Sequence, residues 1–270
     1  KIAPDKYLRW IWAAGNLFED FVIEQAKQSG VWLADQVQIV IPVAKLVGKL
    51  DLMVINPETG GYIGEEVKSI YGHGSTDILG TPGMWNKKKV GKPRSSNLMQ
   101  IAIYDWHMRA KYKDQYETSR LFYGARDTGR LGEFDIITSL NTTTGLIDIT
   151  YRSLVPIHTP PTKSAITVNN ILTQYQYILQ HADSGELPPR DFELTYSQEK
   201  IQILYTRGEL GKTESEAQEK INARIEENKV LIAAGDKPKK ELKPLEKGDW
   251  ECSHCQFQYF CYNQDGSTRI

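Results

Sequence analysis

Between Asp5 and Ser29 the apolar residues Leu8, Ile11, Trp12, Leu17, Phe18, Phe21, Val22 and Ala26 recur at roughly helical spacing. That spacing predicts one helix, its apolar run interrupted at Gly15 and its end set by Gly30. The period then shortens to that of strands over Val37–Val43, Lys49–Ile55 and Tyr62–Ser69. Asn56-Pro57-Glu58-Thr59-Gly60-Gly61 has turn composition, so the three strands are expected to form an antiparallel meander. Tyr71–Arg94, rich in Gly, Pro and Lys, has no period and reads as a long loop. A helix resumes over Ser95–Lys113, with Leu98, Ile101, Ala102, Tyr104, Asp105 and Met108 in a partly amphipathic pattern. Further strands are predicted at Arg120–Arg126, Glu133–Ser139 and Gly145–Arg152, then a helix over Ser164–Ala182 that ends before Leu187-Pro188-Pro189-Arg190. Ser197–Ala234 is charged and helical, and Gly208 and Gly211 divide it into a helical hairpin. The pattern is that of an α/β protein with a mixed sheet and helices on its faces.

Composition adds limits rather than identity. A chain of 270 residues, 40% hydrophobic and 25% charged, is an ordinary globular protein with enough length for a substantial core. With 33 basic and 34 acidic residues the net charge is −1, so a nucleic-acid partner would have to use a local basic patch. No apolar run reaches the length of a membrane span and no signal peptide is visible, so a cytoplasmic location without a membrane partner is expected. The three cysteines crowd into the last nineteen residues, a poor disulfide framework and a good metal-site pattern.

Gly48-Lys49-Leu50-Asp51 opens one predicted strand and Gly64-Glu65-Glu66-Val67-Lys68-Ser69 ends the next. Alternation along a strand puts Glu66 and Lys68 on one face and Glu65 and Val67 on the other. Pairing across the turn brings Asp51 near Glu66. Two carboxylates are hard oxygen ligands for Mg²⁺ or Mn²⁺, which acidify water, and an ammonium beside them can stabilise charge developing on a phosphate. The same residues also suit the solvated polar face of an ordinary hairpin. Flanking residues add to the pattern: Gly15-Asn16-Leu17-Phe18-Glu19 on the first helix, and Gln100 and Tyr104 one turn apart on another.

The ordered series Gly-x-x-x-Glu, Gly-x-x-Asp, Glu-x-Lys and Gln-x-x-x-Tyr, spanning residues 15 to 104, resembles the RecB-like branch of the PD-(D/E)XK nucleases. It is similar in particular to the CRISPR-adaptation exonucleases and their phage relatives. The resemblance implies a restriction-endonuclease-like core and a deoxyribonuclease using Mg²⁺ or Mn²⁺, expected to act as an exonuclease on single-stranded or end-processed DNA. It implies Asp51, Glu66, Glu19 and the backbone carbonyl of Val67 as metal ligands, Lys68 as the catalytic lysine, and Gln100 and Tyr104 beside the DNA. Position 19 departs from the pattern, since many members carry histidine there. The alternative is a DNA-binding or end-trimming subunit of a CRISPR-adaptation or recombination complex.

Cys252, Cys255 and Cys261 form C-x2-C-x5-C. Three thiolates can wrap a soft metal, although zinc and cubane sites normally take four ligands. The resemblance implies a [4Fe–4S] cluster whose fourth cysteine lies upstream of Lys1; zinc, or free thiols, are the alternatives. Such a cluster would staple the tail to the first helix. Trp85, Lys87, Lys88, Lys89, Lys92 and Arg94 make a basic loop leading into the helix of Gln100, suited to a phosphate backbone and a stacked base, and equally to a solvated loop. Arg126 and Arg130 are weaker candidates of the same kind. The expected organisation is a nuclease core over 1–192, a charged helical insertion over 193–247, and a metal-binding tail over 248–270 packed back on the core.

Overall fold

The computed structural model describes residues 6–81, 90–185 and 193–249. The chain divides into two compact units, Lys1–Leu187 and Pro188–Ile270. The expected cysteine tail lies outside the described residues.

The first unit is α/β: a seven-stranded mixed sheet in the order β1-β2-β3-β4-β5-β6-β7, flanked by helices. Helix α1 (Lys6–Gln28) precedes β1 (Trp32–Ile41), β2 (Leu46–Ile55) and β3 (Tyr62–Ile70). These three strands are the antiparallel meander expected from their alternation. A short helix α2 (His73–Leu79) and the longer α3 (Ser95–Tyr112) lead to β4 (Tyr116–Ala125), which runs parallel to β3. Parallel neighbours need a crossover, and α3 supplies it. Strands β5 (Leu131–Leu140), β6 (Ile147–Val155) and β7 (Thr162–Thr167) extend the sheet by antiparallel pairing, and α4 (Val168–Ser184) follows.

Two apolar clusters hold the layers. On one face, α3 and α4 bury Ile101, Ala102, Met108, Val168 and Ile171 against Ile39, Leu50, Leu121, Phe134, Ile136 and Ile149. On the other face, α1 contributes Val22, Ile23 and Ala26, packed with Leu52, Val54, Ile63 and Val67. Phe18 also stacks on Phe122, at 6.0 Å between ring centres. Burial of each large aliphatic side chain is worth about 1.5–3 kcal/mol, so α1 is attached chiefly through its second half. Its Trp10, Trp12, Leu17 and Phe21 are more than half exposed.

Helix α1 covers the span that its apolar spacing predicts and passes through Gly15, where one glycine costs only about 1 kcal/mol. The structure departs from the sequence pattern in two places. The expected loop after β3 contains α2. The helix expected from Ser164 starts at Val168 instead, because the Thr167 hydroxyl accepts the Asn170 amide and the Asn170 side chain accepts the Thr167 amide. This capping box fixes the helix start. It leaves Thr162–Thr167 free to pair as edge strand β7.

In the second unit, α5 (Gln198–Thr206) and α6 (Lys212–Ala233) form the expected helical hairpin. Between them Gly208 takes a φ of +67°, a conformation glycine adopts without steric cost. The chain then returns along the hairpin, where Asn228 bonds both the amide and the carbonyl of Lys239. No described helix is long and apolar enough to cross a membrane.

Gly15 has no non-local neighbour within 4 Å of where a Cβ would lie among the described residues. Gly15→Ala is therefore expected to raise the unfolding free energy by about 0.5–1 kcal/mol in urea denaturation. A destabilised variant would mean that the missing side chain serves contacts beyond the helix.

Candidate active site

Strands β2 and β3 pair from Ile55–Tyr62 to Leu52–Glu65, where the pairing stops. Beyond that point β2 continues only with β1, and β3 only with parallel β4. The sheet therefore forks at Asp51 and Glu66. In the fork the Val67 amide donates to Asp51 Oδ2 at 2.8 Å, so a side chain takes an amide at the point where the two strands stop pairing.

On β3, Glu66 and Lys68 share a face, as the two-residue period requires. Lys68 Nζ lies 2.5 Å from Glu66 Oε1, and Gln100 Nε2 donates to the same oxygen at 2.7 Å. Gln100 also approaches Tyr104 Oη at 3.5 Å, the two being one helical turn apart on α3. Tyr104 lies over β2 because Gly48 leaves space for it. A Cβ at Gly48 would fall 2.2 Å from the phenol oxygen. The glycine of the first strand thus accommodates the tyrosine of the helix.

Helix α3 is held in register by Asp105. Its fully buried Oδ2 accepts from the Thr138 amide at 2.8 Å, the Thr138 hydroxyl at 2.6 Å and Arg109 Nε at 2.7 Å. Removing one partner of a buried ion pair typically costs 3–5 kcal/mol, so this contact fixes where Gln100 and Tyr104 stand.

Glu19 approaches from α1. Its Oε1 accepts from Gln36 Nε2 at 2.5 Å, and Gln36 occupies the left-handed region, with φ +48°. Gln36 falls on β1 between Asp35, paired with Leu52, and Val37, paired with Leu50, so it lies across from Asp51. Sequence reading missed Gln36, since nothing local distinguishes it from the other polar residues of its strand.

The electrostatics are frustrated. Burial, and then the charge of Asp51, push Glu66 up to about 7. Burial raises Asp51 despite its bond from Val67 and the charge of Lys68. Glu19 is raised by burial first, then by Asp51 and Asp20. Burial likewise raises Tyr104, so it remains a neutral phenol. Glu66 Oε2 is buried without a hydrogen-bond partner among the described residues. A buried polar oxygen left this way is costly, and a cation would relieve it.

No three His, Cys, Asp or Glu side chains among the described residues converge as a metal cage. Asp51 and Glu66 instead form a pair of hard oxygen donors. Mg²⁺ characteristically keeps several waters and takes one or two carboxylates, so the donor set fits that ion in type and number. Glu19, engaged by Gln36, is near enough to feel the charge of Asp51.

Glu65 and Val67 point the other way. Val67 joins the α1 cluster. Glu65, which burial pushes up to about 7, faces Arg120 at 3.5 Å, and Arg120 and Arg152 both bond Asp135. The sequence contained no sign of this buried network, since its members are scattered over four strands.

Of the expected basic loop, Lys92 and Arg94 are exposed, Arg94 at the N-cap of α3. Trp85, Lys87, Lys88 and Lys89 lie outside the described residues, as do Cys252, Cys255 and Cys261. Arg130 is structural: its Nη2 donates to the carbonyls of Leu79 and Gly80 at the end of α2. Arg126 lies over the exposed ring of Tyr71 at 5.8 Å. Comparisons with protein-family models, curated proteins and solved structures return no match.

Two measurements probe this geometry. Gly48→Ala is expected to destabilise the protein by about 1–3 kcal/mol through overpacking, and to do so far less in a Tyr104→Ala background. Additive losses in the double-mutant cycle would refute the contact. The second concerns pH. Glu65 and Glu66, with an ordinary value of 4.5, are pushed to about 7 in the folded protein. Between those values the unfolded chain releases protons that the folded chain keeps, so stability is full below 4.5 and falls as pH rises towards 7. In metal-free buffer the melting temperature should drop between pH 5 and pH 8, and Glu66→Gln should flatten part of that drop. An unchanged profile would count against a strained Glu66.

Proposed function

We propose that this protein is a metal-dependent deoxyribonuclease of PD-(D/E)XK type, hydrolysing phosphodiesters at the fork between β2 and β3. The observation that carries the reading is the convergence on Glu66: one oxygen takes Lys68 and Gln100, the other is buried with no hydrogen-bond partner among the described residues, and the charge of Asp51 bears on the group. The order of these residues along the chain, from Gly15 to Tyr104, supports the same reading through its resemblance to the nuclease motif series.

In this reading Asp51 and Glu66 would hold Mg²⁺ or Mn²⁺ with the Val67 carbonyl, and Glu19 would join them on release from Gln36. The ion supplies neutralisation of phosphate charge and a more acidic water. The Val67 amide fixes the Asp51 carboxylate, and Gln100 fixes that of Glu66, so neither must reorient as substrate arrives. Lys68 would stabilise the charge that develops as water oxygen adds to phosphorus, the P–O bond to the leaving oxygen breaks, and the proton lost by the water ends on that oxygen. Tyr104, kept neutral, offers a hydroxyl rather than a base. Lys92 and Arg94, with the loop from Trp85 to Lys89, would attract the backbone of single-stranded DNA or duplex ends. A [4Fe–4S] cluster on Cys252, Cys255 and Cys261 belongs to the same reading as a structural staple. The second reading, a DNA-binding or end-trimming subunit of a CRISPR-adaptation or recombination complex, is favoured by the exposed Trp10, Trp12, Leu17 and Phe21 of α1.

The test uses end-labelled single- and double-stranded DNA with Mg²⁺ or Mn²⁺. Lys68→Ala and Glu66→Ala are each expected to lose about 100-fold or more in rate, the usual cost of removing one electrostatic contributor. Equal degradation by the wild type and both variants would place the chemistry elsewhere.

A further inference from the structure

Helices α3 and α4 leave a groove of about 300 Å³ between them. Its α3 wall is Ser96, Met99 and Gln100, and its α4 wall includes Gln174, Tyr175 and Ile178, the helical spacing of one face in each case. Among the described lining residues Ser96, Gln100, Gln174 and Tyr175 can hydrogen-bond, the others are apolar, and none is a carboxylate, amine or guanidinium. Tyr175 is 39% exposed and Ile178 54%, so both are accessible to a ligand.

The groove is continuous with the candidate active site through one residue. Gln100 lines it, while the Gln100 amide nitrogen bonds Glu66 Oε1. At its other end stands Ser96, in the first turn of α3; Arg94, two residues before it, reaches over Gly74 of α2 and does not line the groove. A ligand seated here would meet a neutral, partly aromatic trough between the helices and, past Gln100, the Lys68–Glu66 pair of the candidate site. An uncharged flat ring suits that trough, with its phosphate at Lys68 and the cation that Asp51 and Glu66 would hold. The volume lies at the small end of ligand pockets and suits one nucleoside.

We infer that this groove is a nucleobase subsite, in which an unpaired base beside the scissile phosphodiester stacks on Tyr175 with its polar edge towards Ser96, Gln100 or Gln174. The inference rests on the nuclease reading and sharpens its substrate to single-stranded DNA. A base within a duplex cannot enter without unstacking, which costs a few kcal/mol.

The test is a set of labelled single-stranded oligonucleotides carrying one abasic site at successive positions, with Mg²⁺ or Mn²⁺. In the wild type, one position relative to the cut should lower kcat/KM about tenfold, mostly through KM, the usual scale of one base–aromatic stack. Tyr175→Ala should cleave the abasic and intact strands alike, whereas Tyr175→Phe, which keeps the ring, should retain the difference. Circular dichroism establishes that the variants are folded. Lys68-dependent cleavage that ignores every abasic position would overturn the subsite and leave the nuclease reading standing. If no Lys68-dependent cleavage occurs, that reading fails, and the same oligonucleotides are titrated by fluorescence anisotropy in EDTA. Binding that weakens with the abasic site and loses this dependence in Tyr175→Ala would support the groove alone; binding indifferent to the base would overturn it.

Discussion

The parting of β2 from β3 is the constraint on which the site depends. An antiparallel pair normally satisfies its amides continuously along the ladder. Here β2 continues along β1 and β3 along β4, so the pairing between them ends at Leu52–Glu65. Asp51 and Glu66 come next, and the Asp51 carboxylate takes the Val67 amide. The fork therefore orients one carboxylate by a main-chain bond at the point where the two strands part.

The parallel pairing of β3 and β4 has a second consequence. It obliges the chain to cross over through α3, which carries Gln100 and Tyr104 to the side of the sheet where Glu66 and Lys68 point. Asp105 then pins the helix to β5, and Gly48 yields the space that Tyr104 fills. Topology brings α3 to the site, and these two contacts set its register there.

Little of this arrangement serves stability. Three carboxylates, raised first by burial, sit around one ammonium, and one Glu66 oxygen has no hydrogen-bond partner among the described residues. The hydrophobic clusters on either face of the sheet must outweigh that strain. Local rules are broken at functional sites more often than elsewhere, and an internal charge cluster that a divalent ion would relieve is a physical ground for the nuclease reading.

The sequence by itself determined the features that rest on short-range geometry. The period of two put Glu66 and Lys68 on one face and Glu65 and Val67 on the other, whatever surrounds them. The Asn56–Gly61 turn dictated the hairpin that brings Asp51 towards Glu66, and helical spacing aligned Gln100 with Tyr104. Tertiary structure alone decided the rest. Nothing near Gln36 signals its left-handed backbone or its bond to Glu19, because both follow from where β1 crosses β2 and α1. The Glu65–Arg120–Asp135–Arg152 network draws on four strands, and the groove at Tyr175 requires α4 to lie along α3. Periodicity specifies which way a side chain points; only the packing of distant segments specifies what it meets.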